Sequence, residues 1–237
     1  MAAGRLQAPR LRRVARSLAA RRVLALAVEH ADRPTLLPAA VAELRRSHHA
    51  VEVTSGPVAG RGKFENLERL LAARSPRDAD WLLVLDDDVR LPAGFLDRFL
   101  FLAERFDLRL AQPAHRRRSH AAWAVTRRRI GTVVRETGFV EIGPVFALHR
   151  STFDRLLPFP PLRFGWGLDL HWSALARAHG WRQGVIDATP VTHVARPIAT
   201  DYPRPAAIAE AREFLAGHAY LPAAQAARTL SVHRGWG

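Results

Sequence analysis

Along the first part of this chain, apolar residues come in two rhythms: short unbroken runs, and stripes spaced three or four apart. Arg22 to Glu29 (RVLALAVE) is a run of strand length, followed by a loop from His30 to Pro34. Leu37, Val41 and Leu44 recur at spacings of four and three, which makes one helical stripe within Leu36 to Arg46. Val51 to Thr54 reads as a second short strand, and Gly56 to Gly62 (GPVAGRG) breaks the pattern as a loop. Phe64, Leu67, Leu70 and Leu71 form another helical face, with Glu65 four residues before Arg69 in support. Trp81 to Leu85 is a continuous apolar run, the pattern of a strand buried on both faces. Strand, helix, strand, helix, strand at these separations predicts an α/β fold with a mostly parallel central sheet flanked by helices. In such a sheet, ligands bind beyond the carboxyl ends of the strands.

Further on, Phe95, Phe99, Leu102 and Phe106 face inward from a helix within Pro92 to Phe106, and Leu108 to Leu110 is a short strand. Residues 115–137 are basic and polar around Trp123, with little periodicity, and read as a flap over a site or a long surface excursion. Gly138 to Leu148 has a strand pattern with Glu141 in its apolar centre. Burying that carboxylate unpaired would be costly, so it is expected either exposed beside Phe139 or, as favoured here, aimed into a cleft. Leu168, Trp172, Leu175 and Ala176 run at helical spacing, and Val185 to Asp187 and Val191 to Val194 read as strands. The pattern divides the chain into a basic extension (1–20), a main α/β domain (21–200) and a helical carboxy-terminal appendage (201–237).

Composition narrows the classes. The chain has 237 residues and no cysteine, which excludes disulfides and thiolate metal sites. No apolar run reaches the ~20 residues needed to cross a bilayer, and the Arg-rich amino terminus lacks the apolar core of a secretory signal. A cytoplasmic protein is the expectation. The formal net charge of +14 invites a nucleic-acid partner. Lys63 is the only lysine, so 35 of the 36 basic residues are arginine, spread widely, with two clusters at Arg116–Arg118 and Arg127–Arg129. Such a surface would equally attract diphosphates, acidic glycans or anionic lipid headgroups, with peripheral contact at the inner face of the membrane.

The chemistry concentrates at Asp86-Asp87-Asp88, directly after the buried run. Residues two apart on a strand share a face, so Asp86 and Asp88 converge while Asp87 points away. Two such carboxylates repel unless a cation lies between them, and oxygen ligation suits Mg²⁺ or Mn²⁺. The alternative is a polar turn after a core strand. Gly62-Lys63 is not a Walker phosphate loop, because Pro57 and Phe64 stand where glycine and a hydroxyl belong. An anion at the start of the following helix, with Lys63 as point charge, remains open. Phe164-Gly165-Trp166-Gly167-Leu168-Asp169 puts an indole in a tight loop and Asp169 in the first turn of a helix. Asp169 reads either as an ordinary helix-start aspartate or as a general base beside an aromatic platform for a sugar ring. His193 alone in a β-like segment reads first as structural.

Taken together, WLLVLDDDV, QPA, FVEIGPVF, GWGLDLHW and VIDATPVTH, in this order over residues 22–200, resemble a group of bacterial and plant proteins related to GT-A fold glycosyltransferases. The resemblance implies a GT-A-like domain in which an Asp-x-Asp element holds Mn²⁺ or Mg²⁺ against a nucleotide-sugar diphosphate. It implies Asp86, Asp88 and His193 as metal ligands, and Lys63, Asp87 and Asn66 as nucleotide contacts. Asp169 becomes the base, as after the Gly-Trp-Gly of beta-1,4-galactosyltransferases; here Leu168 stands where those enzymes have a second acid. Trp166 would stack on a sugar and Glu141 would position a hydroxyl. The activity implied is sugar transfer from a UDP- or GDP-linked donor to a glycan or small-molecule acceptor, with a single base favouring inversion. Two alternatives stand beside it: a non-catalytic nucleotide- or glycan-binding protein of the same fold, and a nucleic-acid module whose arginines form one stripe away from the acids.

Overall fold

The computed structural model describes residues 2–30, 34–194 and 203–237. In chain order the elements are α1 (Ala2–Ala15), β1 (Arg22–Glu29), α2 (Leu37–Leu44), β2 (Ala50–Pro57), α3 (Lys63–Ala73), β3 (Trp81–Asp86), β4 (Val89–Arg90), α4 (Phe95–Arg105) and β5 (Leu108–His115). They continue with β6 (Val134–Thr137), β7 (Val145–His149), α5 (Phe153–Leu156), α6 (Leu168–Ala178), β8 (Arg182–His193), α7 (Arg204–Ala216), α8 (Ala223–Ala226) and β9 (Thr229–His233). The expected boundary near residue 200 lies outside the described residues.

The sheet runs β2-β1-β3-β7-β5-β8-β6-β9, with β4 paired to β8 beside it. β2, β1 and β3 are parallel, as the alternating strand and helix pattern demands. β7 then enters antiparallel between β3 and β5, and β5 pairs parallel with β8. The far edge closes with antiparallel β6 and β9.

The central strands are buried on both faces, and their alternation explains why. Val23, Ala25, Ala27, Leu83 and Leu85 pack on one face with α2, α4 and Leu11 of α1. Leu24, Leu26, Leu82, Val84 and Phe146 pack on the other with Phe64 and Leu67 of α3 and Leu168 and Trp172 of α6. Each strand therefore needs apolar side chains at every position, which is the unbroken run seen in the sequence.

Several elements differ from the reading by periodicity, among them β9, an edge strand of the main sheet inside the stretch read as a helical appendage. β2 continues through Gly56 and Pro57, because an edge strand tolerates both where they pair with Val28 and Glu29. β5 reaches His115, and its Gln112 and Pro113 sit in the middle of the sheet. Gly138–Leu148 is a strand only from Val145, and the residues before it form a turn. Val185–Asp187 and Val191–Val194 merge into the 12-residue β8, whose pairing with β5 slips register between Ile186 and Val191, around Pro190, without ending the strand.

Candidate functional site

The alternation along β3 sorts the three aspartates. Leu82 and Val84 point to the α3 and α6 face, so Asp86 does too; Leu83 and Leu85 point to the α2 and α4 face, and Asp87 follows them. Asp86 meets Lys63, the first residue of α3, with Nζ 2.6 Å from Oδ1. Lys63 also donates to the Ile142 carbonyl at 3.0 Å. Asp87 is buried: its Oδ2 accepts the His30 backbone N–H at 2.8 Å, and its carbonyl accepts Leu36 N–H at 2.7 Å. Asp87 thus pins both ends of the loop between β1 and α2.

Asp88 lies in the turn that follows, and β4 pairs with the end of β8, bringing His193 alongside. His193 Nε2 stands 3.1 Å from Asp88 Oδ1. One ligand atom each from Asp86, Asp88 and His193 lies within 4.8 Å of the others. Two carboxylate oxygens and an imidazole at these separations fit a small hard divalent cation. Burial alone would lower the His193 pKa, but the bond to Asp88 and the charges of Asp86 and Asp88 outweigh it and hold it above the usual value. The site therefore already balances its acids with Lys63 and an imidazole inclined to protonate.

A second group, His48, His49 and Asp97, meets the same distance test. His48 Nε2 lies 3.0 Å from the Leu18 carbonyl, His49 Nδ1 accepts Arg21 N–H, and Asp97 accepts Ser47. These bonds make it a latch between the α1–β1 connection and α4. Burial and the neighbouring His48 push the His49 pKa down to about 4, so its ring is neutral.

The turn before β7 spans the gap from this cluster to Asp169. At one end, Gly143 brings backbone against the pair of Lys63 and Asp86: a Cβ there would stand 3.5 Å from Lys63 Nζ. At the other, Glu141 is buried, with Oε2 3.0 Å from Thr126 Oγ1 and 3.3 Å from His115 Nε2. The charge of Glu141 acts on Asp169, which is also buried at the start of α6. Burial first, and Glu141 second, raise the Asp169 pKa to about 7, against the pull of the Leu170 and Asp169 backbone N–H groups. Asp169 Oδ1 accepts Leu170 N–H at 2.9 Å, satisfying a donor in the first turn of the helix. His115 continues the chain of contacts: its Nδ1 is 3.3 Å from Ser119 Oγ, and Ser119 Oγ accepts His193 N–H at 2.8 Å.

The Gly-Trp-Gly loop is held by parts of the chain distant in sequence. Gly62 allows close backbone contact, since a Cβ there would fall 1.8 Å from the Arg163 carbonyl oxygen. Gly165 has φ of +77° and lies against the Phe64 ring. Glu210 of α7 accepts three backbone N–H groups, from Arg163, Phe164 and Gly165, at 2.7 to 3.0 Å. Trp166 is half-buried, with the Arg204 guanidinium 5.9 Å from its ring centroid. Asn66 is buried, and its amide donates to the Val58 and Gly62 carbonyls at 2.9 and 3.0 Å, bracing the glycine-rich loop.

Glu210, His115 and Ser119 carry structure at the site that periodicity does not reveal. Glu210 looks in sequence like one more solvated charge on a helix, and His115 and Ser119 look like parts of an arginine-rich loop. The 115–137 segment is fastened rather than loose: Arg128 N–H bonds to the His115 carbonyl, and buried Arg135 pairs with buried Asp187 at 2.7 Å. The backbone around its first arginine run is tied to the end of β8, because Arg116 N–H and His120 N–H bond to the Val191 and His193 carbonyls. Two concavities, lined by Trp81, Arg109 and His149 and by Leu71, Arg77 and Phe153, open at the opposite end of β3 and touch none of these groups.

This architecture, a parallel β2-β1-β3 half ending in Asp-x-Asp, is that of the GT-A glycosyltransferase fold. Glucosyl-3-phosphoglycerate synthase from Mycobacterium tuberculosis, solved with Mn²⁺, UDP and glucosyl-3-phosphoglycerate, shares it. Its TM-score is 0.54 at 14% identity, over 91% of this chain and 85% of that one. GalNAc-T7 with UDP, GalNAc and Mn²⁺ gives 0.51 at 12% identity over 82% of this chain, which spans only 47% of that protein's length. A197 from STIV gives 0.50 at 14% identity, over 74% and 86%. No family model matches the chain, and no curated protein does. Among the described residues, no helix is long and apolar enough to cross a membrane.

Proposed function

We propose that this chain is a metal-dependent glycosyltransferase that moves a sugar from a nucleotide-diphosphate donor to an acceptor hydroxyl, with inversion. The observation that carries the reading is the Asp86, Asp88 and His193 cluster at the carboxyl end of β3, linked through the 141–143 turn to a buried carboxylate whose pKa is raised to about 7. The UDP and Mn²⁺ named in the neighbouring structures support a UDP-sugar donor, with a GDP-sugar the alternative.

Asp86, Asp88 and His193 would hold Mn²⁺ or Mg²⁺, which when bound supplies positive charge against the departing diphosphate. Lys63 adds a second cation from the start of α3, near enough to exchange its Asp86 partner for a phosphate oxygen. Asp169 accepts the proton of the acceptor hydroxyl as that oxygen bonds to the anomeric carbon. The bond from that carbon to the diphosphate breaks in the same displacement, and its electron pair leaves with the nucleotide. A carboxylate with pKa near the working pH suits this exchange, because it is both free to accept and strong enough as a base. The charge of Glu141 raises the basicity of Asp169, and Trp166 offers a stacking face for a sugar. Asp87 and Asn66 serve the nucleotide through the loops they brace.

The test is titration of the full chain with UDP and with GDP, with and without Mn²⁺, followed by donor hydrolysis. Wild type is expected to bind UDP only with metal, and Asp88→Ala to lose that binding at least tenfold. Asp169→Asn should bind normally and fail to turn over. Nucleotide binding indifferent to both metal and Asp88→Ala would overturn the assignment.

A further inference from the structure

From Asp107 to Glu136 the chain contains no intervening acid and eight arginines. Six of them, Arg116–Arg118 and Arg127–Arg129, are exposed, and the fold brings the two runs together. An isolated bridge joins His115 to Arg127, and Arg127 reaches the Ser119 carbonyl at 3.4 Å. Of the acids the fold brings near, Asp187 pairs with buried Arg135 and Glu136 with Arg182 at 2.9 Å. Among the described residues, none of these six arginines forms an ion pair, so the ridge carries a concentrated positive charge.

At its tip stands Ile130, 89% exposed. The turn that presents it is built rather than slack. Arg129 N–H donates to Asp187 Oδ1 at 2.8 Å, Thr132 Oγ1 donates to the Arg129 carbonyl at 2.9 Å, and Gly131 takes φ of +84°. Beside it runs edge strand β9, tied to the ridge where Val133 N–H meets the His233 carbonyl. Val232 lies opposite Arg135, so it leaves the sheet on the face where Arg135 grips the loop. Val232 and Leu230 are 38% and 62% exposed. An aliphatic residue held in water at the apex of an arginine cluster, with two more alongside, has the chemistry of an interfacial anchor: cations for headgroup phosphates, aliphatic tips for the layer beneath.

We infer that this ridge, the two arginine runs with Ile130 and the adjoining face of β9, is a docking surface for an anionic lipid bilayer. The inference goes beyond the glycosyltransferase reading and does not rest on it. Charge complementarity alone would also admit nucleic acid. Single-strand binding would want free aromatic faces, and the only phenylalanine, tyrosine or tryptophan between Arg116 and Thr132, Trp123, is packed edge-on against Phe139 at 5.0 Å. Docking would turn the Asp88 and His193 cleft toward the membrane, since Ser119 and His120 join the first arginine run to His193.

The experiment is co-sedimentation of the full chain with vesicles of phosphatidylcholine alone and of phosphatidylcholine with about one-third phosphatidylglycerol. Binding is expected only to the anionic vesicles and should weaken as salt rises. Ile130→Asp and, separately, the pair Arg117→Ser with Arg128→Ser should each reduce binding at least tenfold while melting at the wild-type temperature, because all three side chains are exposed. Equal binding to neutral vesicles, or full binding by Ile130→Asp, would overturn the inference. So would tighter binding to a DNA duplex that Ile130→Asp leaves unchanged, which would make the ridge a nucleic-acid surface.

Discussion

Asp169 and His193 both hold a proton more tightly than usual, one as a neutral carboxyl and the other as a cation, and each yields a measurement. The Asp169 pKa is raised to about 7, so below pH 4 the carboxyl is neutral in both folded and unfolded chains and has no effect on stability. Between pH 4 and 7 the unfolded chain ionises while the folded one resists. The penalty grows by roughly 1.4 kcal/mol for each pH unit crossed, to about 4 kcal/mol above pH 7. Asp169→Asn should therefore be more stable than wild type at pH 8, by up to that amount, and equal to it near pH 4; urea unfolding at the two pH values checks this. The same substitution should lower transfer by about 10²- to 10⁴-fold, the usual contribution of a positioned base. His193 is held above its ordinary pKa, so it supports the fold while protonated, and that support fades as pH rises. A metal must displace this proton. Mn²⁺ affinity, read by calorimetry, should rise with pH across the histidine range, and His193→Ala should weaken it at least tenfold while flattening that dependence. Asp86 and Asp88 are legible in sequence because carboxylates two apart after a buried strand have few structural reasons to exist. Glu141 is legible only as a charge needing a partner, since Thr126 and His115 come to it from a loop without periodicity.

Among elements, α7 does more for the site than its sequence suggests. Glu210 gathers the N–H groups of Arg163, Phe164 and Gly165, and Leu215 lies against Gly167. Glu210→Ala would leave three donors to water and release the Gly-Trp-Gly loop. It should cost about 2 kcal/mol, as hydrogen bonds to a charged group do, and raise KM for donor or acceptor more than it lowers kcat; thermal melting and steady-state kinetics read both. The stripes of α2, α3 and α4 and the runs of β1 and β3 are readable because each must bury a face. β9 is not, because an edge strand with exposed Leu230 and Val232 carries no such demand. The merger of two short runs into β8 is hidden by Pro190, where the pairing with β5 slips register while the strand carries on.

For the whole molecule, ligands that bind only the folded state should stabilise it by mass action. Mn²⁺ and UDP together at about a hundred times their dissociation constant would add roughly 2.7 kcal/mol. For a chain of this size that is a rise in Tm of about 5–10 °C. EDTA should remove the rise, and Asp88→Ala should not show it. The parallel half of the sheet follows from the alternation of runs and stripes. The insertion of β7 between β3 and β5 does not, because strand order is decided by contacts far apart along the chain.

The 12-residue β8 pairs with β5, β6 and β4 and ends in His193. It behaves as a ruler between the far margin of the sheet and the imidazole. One residue inserted into it near Val185 would shift the register and turn His193 to the other face. Such a variant should keep a folded core yet lose its affinity for Mn²⁺, whereas the same insertion at the Ile130 turn should leave the metal untouched.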